Sequence, residues 1–210
     1  MDVFKGWTDY TERLHIYWNR LVGQEDTVIV PGDISWAMNY NEAVQDFEFI
    51  DDLNGRKILM KGNHDFWWST MKKNNDFVTS NGFSSIDFLF NNSYLVDGNT
   101  AVAGTRGWMF GEDEEKVYAR ELGRLKTSLD SAGKLDNVEE IICFLHYPPI
   151  YEDNVCSDFV GLMKQYDVKR CYYGHLHGPS IPFSFNGEYD GIEFRLISSD
   201  KLLFQPLKIK

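Results

Sequence analysis

Short apolar runs alternate with amphipathic segments through the middle of the chain, and this alternation constrains the fold most strongly. TVIVPGD (27–33) is a β-branched run stopped by Pro-Gly, and KILMKGNHD (57–65) is a second apolar run. Between them, Ala43, Phe47 and Ile50 recur at the spacing of one helix face. Strands that alternate with helical patterns are typical of βαβ units. The sequence therefore predicts the α/β class.

The same patterns predict the other elements. Further helices are expected over 11–22, over 66–78, along Tyr118, Leu122, Leu125 and Leu129, and along Phe159, Leu162, Met163 and Tyr166. Further strands are expected as two or three short ones within 85–104, over 139–149, over 169–178, and as tail hairpins from 181–185, 191–198 and 201–209. No internal repeat or linker interrupts the 210 residues, so we expect one domain with a β-rich C-terminal part.

Composition excludes several classes of partner. The net charge of −11 excludes nucleic acid as a main partner, because phosphate backbones are bound through Lys and Arg. It also argues against an anionic membrane surface, and no apolar run is long enough to span a bilayer. MDVFKGWTDY at the N-terminus lacks the apolar core of a signal peptide. Three cysteines without C-x-x-C spacing indicate reduced thiols and a cytoplasmic protein. Nothing in the sequence indicates an oligomeric state.

Four predicted strands end in side chains that can bind metals or carry protons. These side chains are Asp33; Asn63, His64 and Asp65; His146; and His175 and His177. In open α/β sheets, ligand sites form at the carboxyl ends of the strands. A mixture of carboxylate, amide oxygen and imidazole suits Mn²⁺, Fe or Zn²⁺ better than Ca²⁺. The strand ends therefore predict a metal site for a small anionic substrate.

Four short motifs carry a resemblance to a known family. PGDISW, KGNHD, LHYPP and YGHLHG resemble, in order and spacing, the motifs of the calcineurin-like metallophosphoesterases over roughly 27–178. The resemblance implies two packed mixed sheets flanked by helices, in a four-layer sandwich, within a single domain over 1–210. It also implies a binuclear centre whose metal-activated hydroxide hydrolyses a phosphomonoester or phosphodiester. GDISWAM and GNHD depart from the Ser/Thr protein phosphatase branch and are closer to the broad bacterial group that acts on small phosphoesters.

The resemblance also implies a role for each residue. Asp33 would bridge both ions, Asn63, His146 and His175 would complete the second site, and His177 would bind the first ion. The catalytic residues would be His64, which contacts substrate phosphate and protonates the leaving oxygen, and Asp65, which orients a histidine or the loop. Structural alternatives stay open: Asp33 as a cap, Asn63, His175 and His177 as turn residues, and His146 and His64 as structural histidines.

One departure from the family pattern bears on activity. The family begins with D-x-H on its first strand, whereas no Asp in this sequence has His two positions later. We therefore expect an N-terminally incomplete domain that lacks its first strand, with a groove that another chain could fill. The first ion would keep only Asp33 and His177, so we predict one ion or weak loading and reduced activity. The alternative is a non-catalytic metal-binding scaffold or interaction module.

Two further features remain ambiguous. The Gly-rich segment 104–115 is either a plain loop or a lid in which Arg106 meets an anion. Trp67 and Trp68 belong either to the core or to the wall of a pocket.

Overall fold

Residues 6–108 and 115–210 are described by a computed structural model of the chain. Its helices are α1 (Tyr10–Leu21), α2 (Tyr40–Asp52), α3 (Met71–Asn81), α4 (Glu115–Ala132) and α5 (Ser157–Gln165), with a 3₁₀ helix over Gly178–Phe183. Its strands are β1 (Thr27–Val30), β2 (Arg56–Leu59), β3 (Ile86–Phe88), β4 (Ser93–Leu95), β5 (Thr100–Thr105), β6 (Glu140–Leu145), β7 (Ile150–Tyr151), β8 (Asn154–Val155), β9 (Arg170–Tyr173), β10 (Gly187–Tyr189) and β11 (Ile192–Leu196).

The strands form a small and a large sheet. The small sheet has the order β1-β2-β3 and is parallel throughout. The large sheet has the order β10-β11-β9-β6-β5-β4, in which the four central strands are parallel and the two edge strands are antiparallel. The short β7 and β8 pair separately. Parallel neighbours end at a common edge, so β1 and β2 deliver their loops together, as do β6 and β9.

The two sheets pack face to face, and helices cover their outer faces. Buried residues from both sheets meet in one cluster: Ile58, Met60, Leu89, Val102, Ile142, Phe144 and Tyr172. α2 and α3 cover the small sheet through Phe47 and Phe77, and α4 and α5 cover the large sheet through Leu129 and Met163. This arrangement confirms the predicted α/β class with two packed sheets between helical layers.

Three local predictions were wrong. The helix expected over 66–78 begins only at Met71, because the Thr70 side chain caps it by accepting from Lys73 N. The segment 181–185 lies largely in the 3₁₀ helix, where a proline occupies an internal position. The segment 201–209 forms no strand, since Leu203 and Phe204 adopt positive φ angles of 53° and 63° in a turn.

β1 lies at the edge of the small sheet, with all four of its residues partly exposed. A groove of about 710 Å³ runs beside it, lined by α1 and by the C-terminal segment 202–210. Pro31 lies in the lining, so the groove reaches the end of β1 that leads to Asp33. In the described part of the chain, every helix is too short or too polar to cross a bilayer.

A buried polar network joins α4 to the end of β5. The Glu121 side chain is fully buried, accepts a hydrogen bond from Thr105 Oγ1 at 2.8 Å, and is paired with Arg124. Ser128 Oγ accepts from Gly104 N at 2.9 Å further along the helix. A buried carboxylate must be paired to be tolerated, and these donors meet that requirement.

Replacing Glu121 with alanine should lower the free energy of unfolding by about 3 kcal/mol, because Arg124 and Thr105 would lose their buried partner. Urea denaturation monitored by circular dichroism measures this change. Glu115→Ala, at an exposed position on the same helix, is the matched control and should change stability little. Equal effects of the two substitutions would show that the network does not stabilise the fold.

Candidate metal centre

The loops after β1 and β2 approach each other because glycine occupies the contact on both sides. A Cβ atom on Gly32 would lie 2.6 Å from Gly62 N and 2.7 Å from His146 Nδ1. A Cβ atom on Gly62 would lie 2.1 Å from Asp33 Oδ1. Gly32 also has a φ angle of 98°, which side-chain-bearing residues rarely adopt. Both positions therefore require glycine for the loops to meet.

Four of the predicted ligands converge at this contact. Asn63 Oδ1 lies 2.7 Å from His146 Nε2 and 3.0 Å from His175 Nδ1, and the two ring nitrogens are 3.2 Å apart. Asp33 Oδ1 lies 3.6 Å from His146 Nε2. Ligand atoms of Asp33, His146 and His175 all lie within 4.8 Å of one another. The loops of two sheets thus present a carboxylate, an amide oxygen and two imidazoles to one point.

The hydrogen bonding of His146 shows that these atoms suit a cation. Its Nδ1 lies 2.9 Å from Pro31 O, an acceptor, so Nδ1 carries the proton and Nε2 presents a lone pair. That lone pair faces the Asp33 carboxylate and Asn63 Oδ1, which are also acceptors. Among the four converging atoms, only the His175 ring nitrogen can supply a proton to share. A divalent ion would satisfy all four lone pairs at once, so the donor set fits a metal.

Burial keeps both imidazoles neutral, as metal binding requires. Burial lowers the pKa of His146, whose side chain is only 1% exposed, although the Asp33 carboxylate opposes the shift. Burial and the neighbouring His146 lower the pKa of His175 to about 4.

Two of the four ligands adopt strained backbone conformations. Asp33 has a φ angle of 55° and His175 a φ angle of 69°, both in the left-handed region. For residues other than glycine this conformation costs energy and persists only where surrounding contacts enforce it. Gly174, the residue before His175, has no positive φ, and a Cβ there would meet only ordinary contacts. The sharp turn at this strand therefore falls on the ligand itself.

The Asp65 carboxylate enforces the turn at Asp33. Oδ2 accepts from Asp33 N at 2.9 Å and from Gly62 N at 2.7 Å. Oδ1 accepts from the backbone N–H of Ile34 and from two further donors, Ser35 N and Trp67 Nε1. Burial raises the pKa of Asp65 to about 6, and the backbone N–H donors oppose that rise. Asp65 thus holds the two loops together through five hydrogen bonds, and it is not among the residues whose ligand atoms converge within 4.8 Å.

His64 lies beside the four ligands. Its backbone N donates to Asp33 Oδ1 at 2.8 Å. Its ring centroid lies 4.6 Å from that of Trp36 and 5.9 Å from that of Phe66. The imidazole is therefore held at the rim, between the ligands and two aromatic rings.

His177 is not one of the three residues whose ligand atoms converge within 4.8 Å. Instead it has a carboxylate partner that sequence patterns did not reveal. His177 Nδ1 lies 2.8 Å from Asp200 Oδ1, and Gly178 N donates to Asp200 Oδ2 at 2.8 Å. Burial acts to raise the pKa of Asp200, but these hydrogen bonds have the larger combined effect, so its pKa lies below the ordinary value. The contact places a proton on His177 Nδ1, the arrangement found in histidines that bind metals through the other nitrogen. Asp200 follows β11 in a turn with no periodic pattern.

The structure describes Trp67 and Trp68 completely and the segment 104–115 in part. Trp67 and Trp68 are 2% and 8% exposed and pack in the core beneath α2 and α3. For the loop 104–115, residues 109–114 lie outside the described part of the chain. Arg106 is described: its guanidinium lies 5.6 Å from the centre of the Tyr147 ring and 3.8 Å from Glu121.

Comparison with known proteins identifies relatives of this site and fold. A family model described as calcineurin-like phosphoesterase matches residues 2–179. A probable cyclic nucleotide phosphodiesterase of Coxiella burnetii is 28% identical over 174 residues, which cover 75% of this chain and 62% of that protein. The chain thus matches less than two thirds of the length of this curated relative.

Two solved structures share the fold. GAP50, the anchor in the inner membrane complex of Plasmodium, has a TM-score of 0.56 and 15% identity over 90% of this chain and 67% of its own. TT1561 of Thermus thermophilus has a TM-score of 0.50 and 12% identity over 82% of this chain and 78% of its own. At these identities the likeness shows the fold alone.

Replacing Asp65 with asparagine should weaken Mn²⁺ binding roughly 10- to 100-fold, because one N–H-accepting oxygen becomes a donor and the Asp33 turn loosens. It should also lower the free energy of unfolding by about 2 kcal/mol. Isothermal titration calorimetry and urea denaturation measure the two effects. Asp76→Asn, at an exposed position on α3, is the control. Unchanged Mn²⁺ affinity in the Asp65 variant would contradict its positioning role.

Proposed function

Because the chain belongs to the calcineurin-like phosphoesterase family, we propose that it hydrolyses phosphoester bonds with divalent ions held by Asp33, Asn63, His146 and His175. The convergence of these donors supports the proposal most directly: ligand atoms of Asp33, His146 and His175 lie within 4.8 Å of one another. Their mixture of carboxylate, amide and imidazole favours Mn²⁺, Fe or Zn²⁺.

Each residue has a role in the proposed mechanism. A bound divalent ion would supply positive charge to the phosphate and activate water as the nucleophile. Asp33 and Asn63 orient the site from the small sheet, and His146 and His175 from the large one. To His64, which is next to Asn63 and partly exposed, we assign the donation of a proton to the leaving oxygen. Asp65 contributes by fixing the ligand loops.

Among phosphoesters, we propose phosphodiesters as the substrates. The Coxiella burnetii relative is named a probable cyclic nucleotide phosphodiesterase, which supports testing diesters first. A phosphomonoester remains the second class, because the same donors neutralise either phosphate.

We also propose that the chain 1–210 holds one ion more tightly than a second. The first ion of the family site would have only Asp33 and His177 as protein ligands here, whereas the other has four.

The cysteines support a reducing compartment, and we propose the cytoplasm. Cys143, Cys156 and Cys171 are all buried and unpaired by disulfides. Such thiols behave as small apolar side chains and persist where the environment is reducing.

With added Mn²⁺, the protein should hydrolyse bis(p-nitrophenyl) phosphate. Asp33→Asn or His146→Gln should each lower kcat/KM more than about 100-fold, because mutating even a residue that only hydrogen-bonds a metal ligand lowers activity by up to that factor. Release of p-nitrophenolate measures the rate. His15→Gln is the matched control, because His15 is 47% exposed on α1.

The same assay decides between hydrolase and scaffold. Cleavage of a phosphomonoester or a phosphodiester supports the hydrolase. If the protein binds Mn²⁺ and cleaves neither class of ester, it is a metal-binding scaffold and the hydrolase proposal is wrong.

Titration of the metal-free chain 1–210 with Mn²⁺ should give one tight site per chain. His175→Ala should abolish that site because it removes one of four ligands, and His177→Ala should leave it in place. Calorimetry, with metal analysis of the dialysed protein, measures the number of ions. Two tightly held ions per chain would contradict the one-ion proposal.

A further inference from the structure

Two exposed aromatic side chains lie at the rim of the candidate metal centre. Trp36 is 45% exposed and Phe66 is 51% exposed, whereas Trp7, Trp18 and Trp67 are each at most 6% exposed. Large apolar side chains that remain in water next to a polar site often mark a binding surface. The exposure of these two rings therefore indicates a binding surface at the rim.

Both rings contact the same imidazole. The Trp36 and His64 ring centroids are 4.6 Å apart with an angle of 31° between their planes, and Phe66 approaches His64 nearly edge-on at 5.9 Å. His64 directly follows the ligand Asn63, and its backbone N donates to Asp33. An ester whose phosphate lay among the metal ligands would place its organic group within reach of the two rings.

The rings project from backbone that is held in place on both sides. Trp36 lies between Ser35, whose N donates to Asp65 Oδ1, and Ala37, whose N donates to Ser35 Oγ at 3.1 Å. Phe66 likewise lies between two buried residues, Asp65 and Trp67. A ring on a fixed loop loses little freedom when a ligand binds, so its exposed face is preorganised.

From this geometry we propose that Trp36 and Phe66 form a stacking subsite for a planar aromatic group esterified to the phosphate. An indole face stacks on planar rings in offset geometry, and the same surface accepts either an aryl group or a nucleobase. The proposal rests on the proposed phosphoesterase function and names the class of ester that the site selects. Trp36 and Phe66 determine specificity, whereas the metal ligands hold the phosphate.

Equilibrium binding of matched ligands tests the subsite. The two phosphonates carry no ester bond to hydrolyse, and the two phosphomonoesters are assayed for released phosphate so that the titration reports binding alone. In Mn²⁺, calorimetry compares phenylphosphonate with methylphosphonate, and adenosine 5′-monophosphate with ribose 5-phosphate. Each pair differs by one aromatic group. We expect the aromatic member of at least one pair to bind about tenfold more tightly, the size of a typical stacking contribution. If phenylphosphonate alone binds more tightly than its partner, the ligand class is an aryl ester. If adenosine 5′-monophosphate binds more tightly than ribose 5-phosphate, the ligand class is a nucleotide.

Variants assign the preference to the rings. Trp36→Ala should reduce the ratio of affinities to within about twofold of one, Trp36→Phe should keep most of it, and Phe66→Leu should reduce it in part. Tyr189→Ala, which removes a 41% exposed aromatic ring from β10, is the matched control and should leave the ratio unchanged.

Three results would overturn the subsite. A wild-type ratio near one in both pairs would show no aromatic selection. Equal weakening of both members of a pair by Trp36→Ala would show that Trp36 only positions His64. Failure of wild-type protein to bind any of the four ligands would contradict the subsite and the metal centre together, whereas binding without aromatic preference contradicts the subsite alone.

Discussion

One buried carboxylate holds the candidate site together. Asp65 accepts five N–H groups from the loops after β1 and β2, and through them it sets the left-handed conformation of Asp33. A charged group in the interior is tolerated only when its lone pairs are satisfied, and here every partner is a donor. The geometry of the candidate site therefore depends on a residue that is not one of the converging donors.

The candidate site has a buried side and an exposed side with different chemistry. His146 and Asp33 are 1% and 11% exposed, so the ligand side is enclosed and its imidazoles stay neutral. The rim carries His64 together with Trp36, which is 45% exposed. Burial thus suits the enclosed side to a cation, and under the proposed function the organic group of an ester would lie at the open aromatic rim.

The part of the structure that could be predicted follows from periodic patterns. The fold class could be predicted, and so could the pairing of Asp33 with Asn63 and of His146 with His175, because parallel strands of one sheet end at a common edge. That the two pairs meet across two sheets followed only from the family resemblance. Asp200 could not, since its contact with His177 depends on a non-repeating turn, and 201–209 looked like a strand only through its apolar residues. The late start of α3 depends on the cap at Thr70, which periodicity does not reveal.

The ligands are drawn equally from two sheets, which has a consequence for the whole molecule. Asp33 and Asn63 follow strands of the small sheet, and His146 and His175 follow strands of the large one. A cation among them would act as a crosslink across the sandwich, beside the apolar contact of Ile58 and Phe144. Ion affinity and the stability of the sandwich are then thermodynamically linked, so substitutions in that apolar layer should change how tightly the metal is retained.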